Sequence, residues 1–258
     1  MSTTTWVLLR GLTRDARHWG AFVEQLQASE PQARIITPDL PGNGARYRET
    51  SRTTIAAMSE DLRAQLAAQQ LAPPYRVLAL SLGAMLAIDW LHRYPQEIER
   101  AVLINTSLRG YSGLTRRLRV KAWPQLLRVA TQRDPRAAET AILQLTSARA
   151  TARGAAALDT QVLDDWTRWR AAQPVSARNA LRQLAAAARF AAPSFAGSGL
   201  EERLLLLAGS GDRLVAPGCS RALARAWHCE LRVHPWAGHD LPLDDPRWLV
   251  AQLGENSG

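Results

Sequence analysis

Short apolar runs alternate with longer amphipathic runs along most of the chain. Short runs rich in Val, Ile and Leu are typical of buried strands, and apolar positions that recur every three or four residues are typical of helices covering a sheet. The pattern predicts six strands, Trp6–Arg10, Arg34–Thr37, Arg76–Leu80, Ala101–Asn105, Arg203–Ala208 and Glu230–His234. It predicts helices at Trp19–Gln27, Thr53–Gln69, Leu82–Arg93, Pro217–Ala226 and Pro246–Leu253. This alternation predicts an α/β fold with a mostly parallel sheet of about six strands flanked by helices.

The alternation stops between residues 107 and 195. This stretch is rich in Ala, Arg, Leu and Gln, and it predicts only helices, at Thr115–Ala130, Pro135–Ser147, Ala155–Ala172 and Val175–Ala192. An all-helical block between two strands lies where it can cover the carboxyl ends of the sheet. We therefore expect residues 1–106 and 196–258 to form the core. Residues 107–195, called the lid below, are expected to be an insertion after the fourth strand.

Composition narrows the class of protein. With 258 residues, of which 47% are apolar, the chain can bury a full core as one large domain with an insertion. No apolar run approaches the length of a membrane helix, and the first residues lack the basic region of a signal peptide, so we expect a cytoplasmic protein with no membrane partner. We also expect a monomer. Cys219 and Cys229 do not have the spacing of metal ligands and are expected to be free thiols.

The net positive charge of the chain comes entirely from the lid. Residues 108–195 hold fourteen arginines and Lys121 against five carboxylates, a net charge of +10, whereas the whole chain carries +9. One interpretation is a solvated helix face. The other is a surface that docks an acidic partner by electrostatic attraction. No nucleic-acid recognition motif accompanies the charge, so we expect no nucleic-acid partner.

The segment from Val77 to Ala87 is the most informative part of the sequence. An apolar strand ends at Ser81, small residues stand two places to either side (Ala79 and Gly83), and an apolar helix follows. This is the layout of a nucleophile elbow, a sharp strand-to-helix turn that exposes a serine at a helix N-terminus. Taken alone, the segment is equally consistent with a plain strand–helix junction.

Four further motifs occur in a fixed order at the ends of other predicted strands. They are Leu9-Arg10-Gly11-Leu12-Thr13, Pro38-Asp39-Leu40-Pro41-Gly42-Asn43-Gly44, Gly209-Ser210-Gly211-Asp212 and Gly238-His239-Asp240. Together with the serine segment, these motifs make the sequence resemble the α/β-hydrolase superfamily over essentially its whole length. Two positions depart from the family pattern: Ala79 replaces the first glycine of the elbow, and Arg10 replaces a histidine that supports the oxyanion loop.

The resemblance implies a catalytic site made of Ser81, Asp212 and His239. A serine hydroxyl needs a neighbouring base to become nucleophilic, and His239 is the candidate, oriented by Asp212. The backbone N–H groups of Leu12 and Leu82 are expected to bind the oxyanion. The sequence contains no dinucleotide fingerprint, P-loop or cluster of metal ligands, so we expect no cofactor and no metal.

Other histidines and carboxylates compete for these roles. We expect the remaining histidines to be structural or solvated, namely His18, His92, His228 and His234. Asp39 is expected to hold a tight turn. Asp240, Asp244 and Asp245 are expected to be turn or helix-capping residues. The place after the fourth strand, where some family members carry the acid, holds Asn105 and Thr106, so Asp212 has no rival there.

The resemblance and the charge suggest a substrate. The compact core and arginine-rich lid resemble those of esterases that cleave the methyl ester of pimeloyl-acyl-carrier protein in biotin synthesis. Their carrier protein is acidic, and Arg136, Arg149 and Arg153 are the expected partner-binding residues. The alternatives are a generic short-chain carboxylesterase acting on a small-molecule ester, a hydrolase-fold binding protein without catalytic activity, or a non-hydrolytic enzyme such as a hydroxynitrile lyase.

Overall fold

A single parallel sheet organises the part of the chain that the computed structural model describes, residues 4–149 and 160–254. Its strands are β1 (Thr5–Leu9), β2 (Arg34–Ile36), β3 (Tyr75–Leu80), β4 (Ile98–Ile104), β5 (Leu204–Gly209) and β6 (Glu230–His234). The six strands are arranged in the order β2-β1-β3-β4-β5-β6, and every neighbouring pair is parallel. The predicted α/β fold is confirmed. Since the strands are parallel, all their carboxyl ends lie at one edge of the sheet.

Helices occupy the stretches between and after the strands. They are α1 (Phe22–Ser29), α2 (Ile55–Ala68), α3 (Leu82–Arg93), α4 (Leu114–Arg117), α5 (Trp123–Thr131), α6 (Pro135–Thr146), α7 (Thr160–Ala172), α8 (Ala177–Arg189), α9 (Gly218–Trp227), α10 (Leu241–Asp244) and α11 (Pro246–Gly254). Among the described residues, none of these helices combines the length and the apolar character needed to cross a lipid bilayer.

Both faces of the sheet are covered. Alternate residues of β1 enter different cores, because successive strand side chains point to opposite faces. Val7 and Leu9 pack with α2, α3 and α9, whereas Trp6 and Leu8 pack with α1 and α11. Burial of both faces explains why β1 and β3 appear in the sequence as almost continuous apolar runs.

The lid consists of helices α4 to α8 in its described ranges, 107–149 and 160–195. Leu143, Leu163 and Trp166 form a small core of their own between α6 and α7. Side-chain caps start two of the helices: Asp134 accepts from the N–H groups of Arg136 and Ala137, and Ser176 accepts from that of Asn179. The predicted helix Ala155–Ala172 begins outside the described residues, and its described part starts at Thr160.

The prediction of one continuous helix over Thr115–Ala130 is wrong. Helix α4 ends at Arg117, the backbone is extended at Leu118, and α5 starts only at Trp123, with Pro124 in its first turn. The reason is a tertiary contact: the Arg119 N–H donates to the Leu214 carbonyl, and the Ala216 N–H donates to the Arg116 carbonyl. These two bonds replace helical hydrogen bonds and attach the start of the lid to the loop after β5.

Candidate active site

Ser81 lies on a strained turn between β3 and α3. Its φ of 56° and ψ of −109° are rarely adopted by a residue with a side chain, and a conformation of this kind costs about 1–3 kcal/mol. The turn closes tightly because Gly83 lies against β1: a Cβ atom at Gly83 would overlap the Leu9 carbonyl oxygen and lie 2.8 Å from that of Arg10. The structure therefore has the strand–turn–helix geometry that the serine segment predicted.

Asp212 and His239 form a buried hydrogen-bonded pair. The Nδ1 atom of His239 lies 2.7 Å from Oδ2 of Asp212, and the residues are 5% and 1% exposed. The other carboxylate oxygen, Oδ1, accepts from the N–H groups of Leu214 (2.7 Å) and Val215 (2.9 Å). An ionised carboxylate can only accept, so Nδ1 carries the hydrogen and Nε2 is left as the basic nitrogen.

Two residues after β4 connect this pair to Ser81. The Thr106 hydroxyl donates to the Ser81 carbonyl oxygen at 3.2 Å. The Asn105 side-chain amide donates to the carbonyls of Gly238 (3.0 Å) and His239 (2.9 Å), and its Oδ1 accepts from the Gly209 N–H (2.8 Å). Asn105 thereby joins the end of β4 to the end of β5 and to the histidine loop. The sequence indicated only that this position was not an acid.

The loop after β1 lies directly against the serine. A Cβ atom at Gly11 would be 3.3 Å from Cβ and 3.9 Å from Oγ of Ser81, so the loop passes within close contact of the serine side chain. Within the described chain, the N–H groups of Leu12 and Leu82 donate to no protein acceptor. Leu82 follows Ser81 and Leu12 follows Gly11, and unpaired N–H groups near a serine are the kind of donor that can bind an oxygen that acquires negative charge.

A lid helix holds the loop after β1. Gln183 of α8 is fully buried, and its Oε1 accepts from the Thr13 N–H at 2.9 Å, while its Nε2 donates to Asn43 Oδ1 (2.7 Å) and Ser51 Oγ (3.0 Å). Asn179, one turn earlier, accepts from the Ser51 N–H at 3.0 Å. Sequence analysis missed these residues; the signal was a pair of uncharged polar side chains four residues apart in a helix made mostly of Ala, Leu and Arg.

Two more lid contacts reach the other loops of the site. The Arg119 guanidinium donates to the backbone carbonyl of Asp212 at 2.6 Å. At the end of α6, the Ser147 hydroxyl and the Ala148 N–H donate to the Asp244 carboxylate, which also accepts from the Gly238 N–H at 2.6 Å. The loops that carry Leu12, Asp212 and His239 are therefore all attached to the lid, the last of them through Asp244 and through the Asp240 N–H, which donates to the Thr146 carbonyl at 2.8 Å.

Asp240 stands at the expected N-cap position of α10, where its backbone carbonyl accepts from the Leu243 and Asp244 N–H groups, but its side chain and that of Asp244 do not act as caps. Asp244 is buried and bridges the lid to the histidine loop as described above, and burial raises its pKa above the usual range. Asp240 precedes the short helix α10 without a side-chain cap, because its carboxylate pairs with Arg10. Asp245 does act as a cap: it accepts from the Trp248 N–H at 3.0 Å. Asp39 holds its turn, accepting from the Ala16 and Ala45 N–H groups.

His18 is a structural residue at the junction of core and lid. Its Nδ1 accepts from the Asp15 N–H, and its ring packs against the rings of Trp166 and Trp169. Burial, reinforced by the nearby Arg14 charge, lowers the pKa of His18 to about 4. The Arg14 guanidinium also stacks 4.1 Å from the Trp166 ring centre. Trp166 therefore packs between the lid and the core.

His234 shapes the loop that carries His239. Its Nδ1 accepts from the N–H groups of Trp236 (3.3 Å) and Ala237 (2.9 Å), and its Nε2 lies 3.2 Å from Asp245. The imidazole is buried between the rings of Trp236 and Trp248. These contacts give His234 a structural role.

The three lid arginines predicted to bind a partner lie in different settings. Arg136 is half-exposed on α6 and pairs with Asp164 of α7. Arg149 is exposed just beyond α6, where its guanidinium donates to the Leu243 carbonyl. Arg153 lies outside the described residues. Within the described ranges, no group of three or more His, Cys, Asp or Glu side chains is arranged to hold a metal ion.

Comparison with known proteins identifies the family. Residues 7–246 match the sequence profile of the alpha/beta hydrolase fold family. The chain belongs to this family.

Individual relatives have different activities. A curated relative named pimeloyl-[acyl-carrier protein] methyl ester esterase, from Aromatoleum aromaticum, is 33% identical over 107 residues, which is 42% of this chain and 39% of the relative. A thermophilic esterase from Thermogutta terrifontis has a TM-score of 0.72 at 22% identity, over 98% of this chain and 89% of its own. The enol-lactonase from Burkholderia xenovorans LB400 has a TM-score of 0.72 at 19% identity, over 98% and 90%. The structural likenesses show the shared fold.

Proposed function

We propose that this protein is a serine carboxylic-ester hydrolase that works through an acyl-enzyme. The observation that carries the proposal is the buried His239–Asp212 hydrogen bond, which leaves Nε2 basic, at the same sheet edge as the strained Ser81 turn. Esterases among the relatives support the same reaction class.

The reaction proceeds in two halves. Ser81 Oγ attacks the ester carbonyl carbon as His239 Nε2 takes its proton, and the tetrahedral oxyanion is bound by the Leu12 and Leu82 N–H groups. Collapse breaks the bond to the alcohol oxygen, which receives the proton from His239 and leaves. Water, deprotonated by His239, then attacks the acyl-enzyme, and its collapse releases the acid and restores Ser81.

The test uses hydrolysis of short p-nitrophenyl esters. Ser81→Ala is expected to lower turnover by several orders of magnitude. Asp212→Asn should lower it by roughly three to four orders of magnitude, because the histidine then adopts the wrong tautomer. Ser29→Ala, an exposed serine on α1, is the control and should retain full activity. Equal rates for wild type and Ser81→Ala would contradict the proposal and favour a binding protein without catalytic activity.

We further propose that the acyl group has an apolar stem. Exposed apolar side chains support this proposal. On the lid, Trp123 and Leu127 are 47% and 66% exposed, and Trp236, beside the histidine loop, is 44% exposed. A series of p-nitrophenyl esters from acetyl to octanoyl tests this. We expect kcat/KM to rise with chain length; a flat series would contradict the idea and favour a generic short-chain carboxylesterase.

The physiological substrate that we propose is an ester on an acidic carrier, the methyl ester of pimeloyl-acyl-carrier protein. The relative of that name and the +10 charge of residues 108–195 support it. Exposed basic residues stand beside the exposed apolar ones on the first part of the lid, as Lys121 does beside Val120 and Arg128 beside Leu127. An acidic protein carrying an apolar chain presents the complementary surface.

Carrier-bound and free pimeloyl methyl ester distinguish this substrate from a small ester. Arg136→Glu, Arg149→Glu and Arg153→Glu should lower kcat/KM for the carrier-bound ester and leave the free ester unchanged. Arg136 also pairs with Asp164, so Asp164→Asn serves as the control for loss of that pair. Steering by charge is screened over about 8–10 Å at physiological salt, so the preference should fall as salt rises. Equal kcat/KM values for the two esters at low salt would exclude the carrier.

A further inference from the structure

Arg10 and Asp240 form a buried ion pair between two loops of the candidate site. The guanidinium donates through Nη1 to Oδ1 (3.1 Å) and through Nη2 to Oδ2 (2.6 Å), and both side chains are 4% exposed. Two parallel charge-assisted hydrogen bonds fix both the distance and the relative orientation of their partners. Arg10 is further held by stacking 5.0 Å from the ring centre of Trp19.

The Arg10–Asp240 pair joins the loop of the candidate oxyanion donor to the loop of the candidate base. Arg10 is followed by Gly11 and by Leu12, the candidate oxyanion donor, whereas Asp240 directly follows His239. These loops leave β1 and β6, which are separated in the sheet by β3, β4 and β5. The sheet itself therefore gives the two loops no direct hydrogen bond, and the ion pair supplies one.

The pair also neutralises a charge beside the histidine. Burial by itself would raise the pKa of Asp240, but the Arg10 charge and its hydrogen bonds outweigh burial and hold the pKa below its usual range. Asp240 is therefore an ionised carboxylate whose charge is balanced by Arg10. A buried ion pair adds little stability compared with well-packed apolar residues of the same size, so stability alone gives no reason for its presence.

We propose that Arg10 and Asp240 are positioning residues, which hold the Leu12 N–H and the His239 imidazole in register around Ser81. This inference rests on the proposed esterase function. It also gives a reason for Arg10 at a position where the family usually has a histidine: the longer arginine side chain reaches Asp240, the residue after His239. It also explains why a carboxylate stands next to His239 without acting as its hydrogen-bond acceptor.

The proposal has an electrostatic consequence. Three carboxylates and three arginines surround His239. The carboxylates are Asp212 after β5, Asp240 in the histidine loop and Asp244 in α10. The arginines are Arg10 and Arg14 after β1 and Arg119 of the lid. Asp240→Asn removes one negative charge and leaves Arg10 unbalanced. An unbalanced cation disfavours the imidazolium, so the acid limb of the kcat/KM profile should move to lower pH.

The decisive variant is Arg10→Leu/Asp240→Leu, which replaces the pair by apolar residues and leaves the net charge unchanged. We expect it to fold with nearly wild-type Tm but to lose at least about tenfold in kcat, with KM changed by less than about threefold, because the misplaced groups act on the transition state. Its acid limb should stay in place, whereas that of Asp240→Asn moves to lower pH. Arg76→Gln/Glu99→Gln removes an ion pair from the other end of the sheet and is the control.

These measurements distinguish a positioning role of the Arg10–Asp240 pair from a purely structural one. A double-leucine variant with wild-type kcat, or an acid limb of Asp240→Asn that does not move, overturns the proposal. Should the double-leucine variant not fold, Arg10→Lys keeps the charge but loses the two-pronged contact, and wild-type kcat there has the same meaning. Loss of activity in Ser81→Ala, measured in the same assay, separates failure of this inference from failure of the esterase proposal.

Discussion

The Oε1 atom of Gln183 accepts a hydrogen bond of 2.9 Å from the N–H of Thr13, so a helix of the lid holds the residue next to the candidate oxyanion donor. Thr13 has a φ of 57°, a conformation that a residue with a side chain adopts only when its surroundings hold it there. The loop that carries the Leu12 N–H is therefore held at Thr13 by a side chain that lies 170 residues further along the sequence.

Replacing Gln183 should affect stability and turnover together. Gln183→Leu leaves the Thr13 N–H and the Oδ1 atom of Asn43 without a partner, which should lower the free energy of unfolding by about 2 kcal/mol. Because the loop is then less well placed, kcat should fall roughly threefold to tenfold while KM changes little. Urea unfolding and ester hydrolysis measure the two effects. Arg178→Ala, exposed on the same helix, is the control, and equal effects in both variants would argue against a specific contact.

An aspartate at the end of β4, in place of Asn105, should not restore the activity lost in Asp212→Asn. The Asn105 amide faces the carbonyls of Gly238 and His239, whereas the acid must accept from Nδ1 of the imidazole. Asn105→Asp replaces two donated bonds by repulsion between oxygens, so it should lower kcat on its own. The double variant Asp212→Asn/Asn105→Asp should be no more active than Asp212→Asn in the p-nitrophenyl ester assay. A gain of tenfold or more in the double variant would place a second acid position within reach.

Gly83→Ala should disrupt the serine turn. The added Cβ would overlap backbone carbonyls of β1, and backbone atoms cannot move aside as a flexible side chain can. We expect a loss of about 1–3 kcal/mol in the free energy of unfolding and a large fall in kcat. Gly113→Ala is a matched control, since a Cβ there meets nothing within 4 Å. Wild-type activity of Gly83→Ala would show that the turn relaxes away from β1.

His18 should make the fold sensitive to moderate acid. Burial lowers its pKa from the usual 6.5 to about 4, so between these values the unfolded chain binds a proton that the folded chain does not. Stability is therefore lost as the pH falls from about 6.5 to about 4, by up to about 3 kcal/mol. In His18→Gln this contribution disappears, so the drop in the free energy of unfolding between pH 7 and pH 4.5 should be smaller than in wild type. Identical drops would assign the acid sensitivity to other groups.

The sequence predicted the features that depend on local patterns, namely most helices and strands and the motifs that follow the strands. Buried parallel strands appear as apolar runs, so the fold could be predicted, and the motifs around Ser81, Asp212 and His239 could be placed after the ends of such runs. The Arg10–Asp240 pair could not be predicted, because its partners are 230 residues apart and no local pattern relates them. The break between α4 and α5 escaped prediction for the same reason: it is caused by Leu214 and Ala216, far along the chain.

The attachment of the lid to all three loops limits how this protein can acquire new specificity. Grafting a foreign helical cassette in place of residues 107–195 would remove Arg119, Ser147 and Gln183, and with them the supports of the Asp212, His239 and Thr13 segments. Chimeras should therefore lose turnover even toward esters that fit the new cap. Under the proposed function, exchange of the whole lid would give a new specificity only if those three anchors were retained, whereas substitutions on the solvent side of α5 leave them untouched.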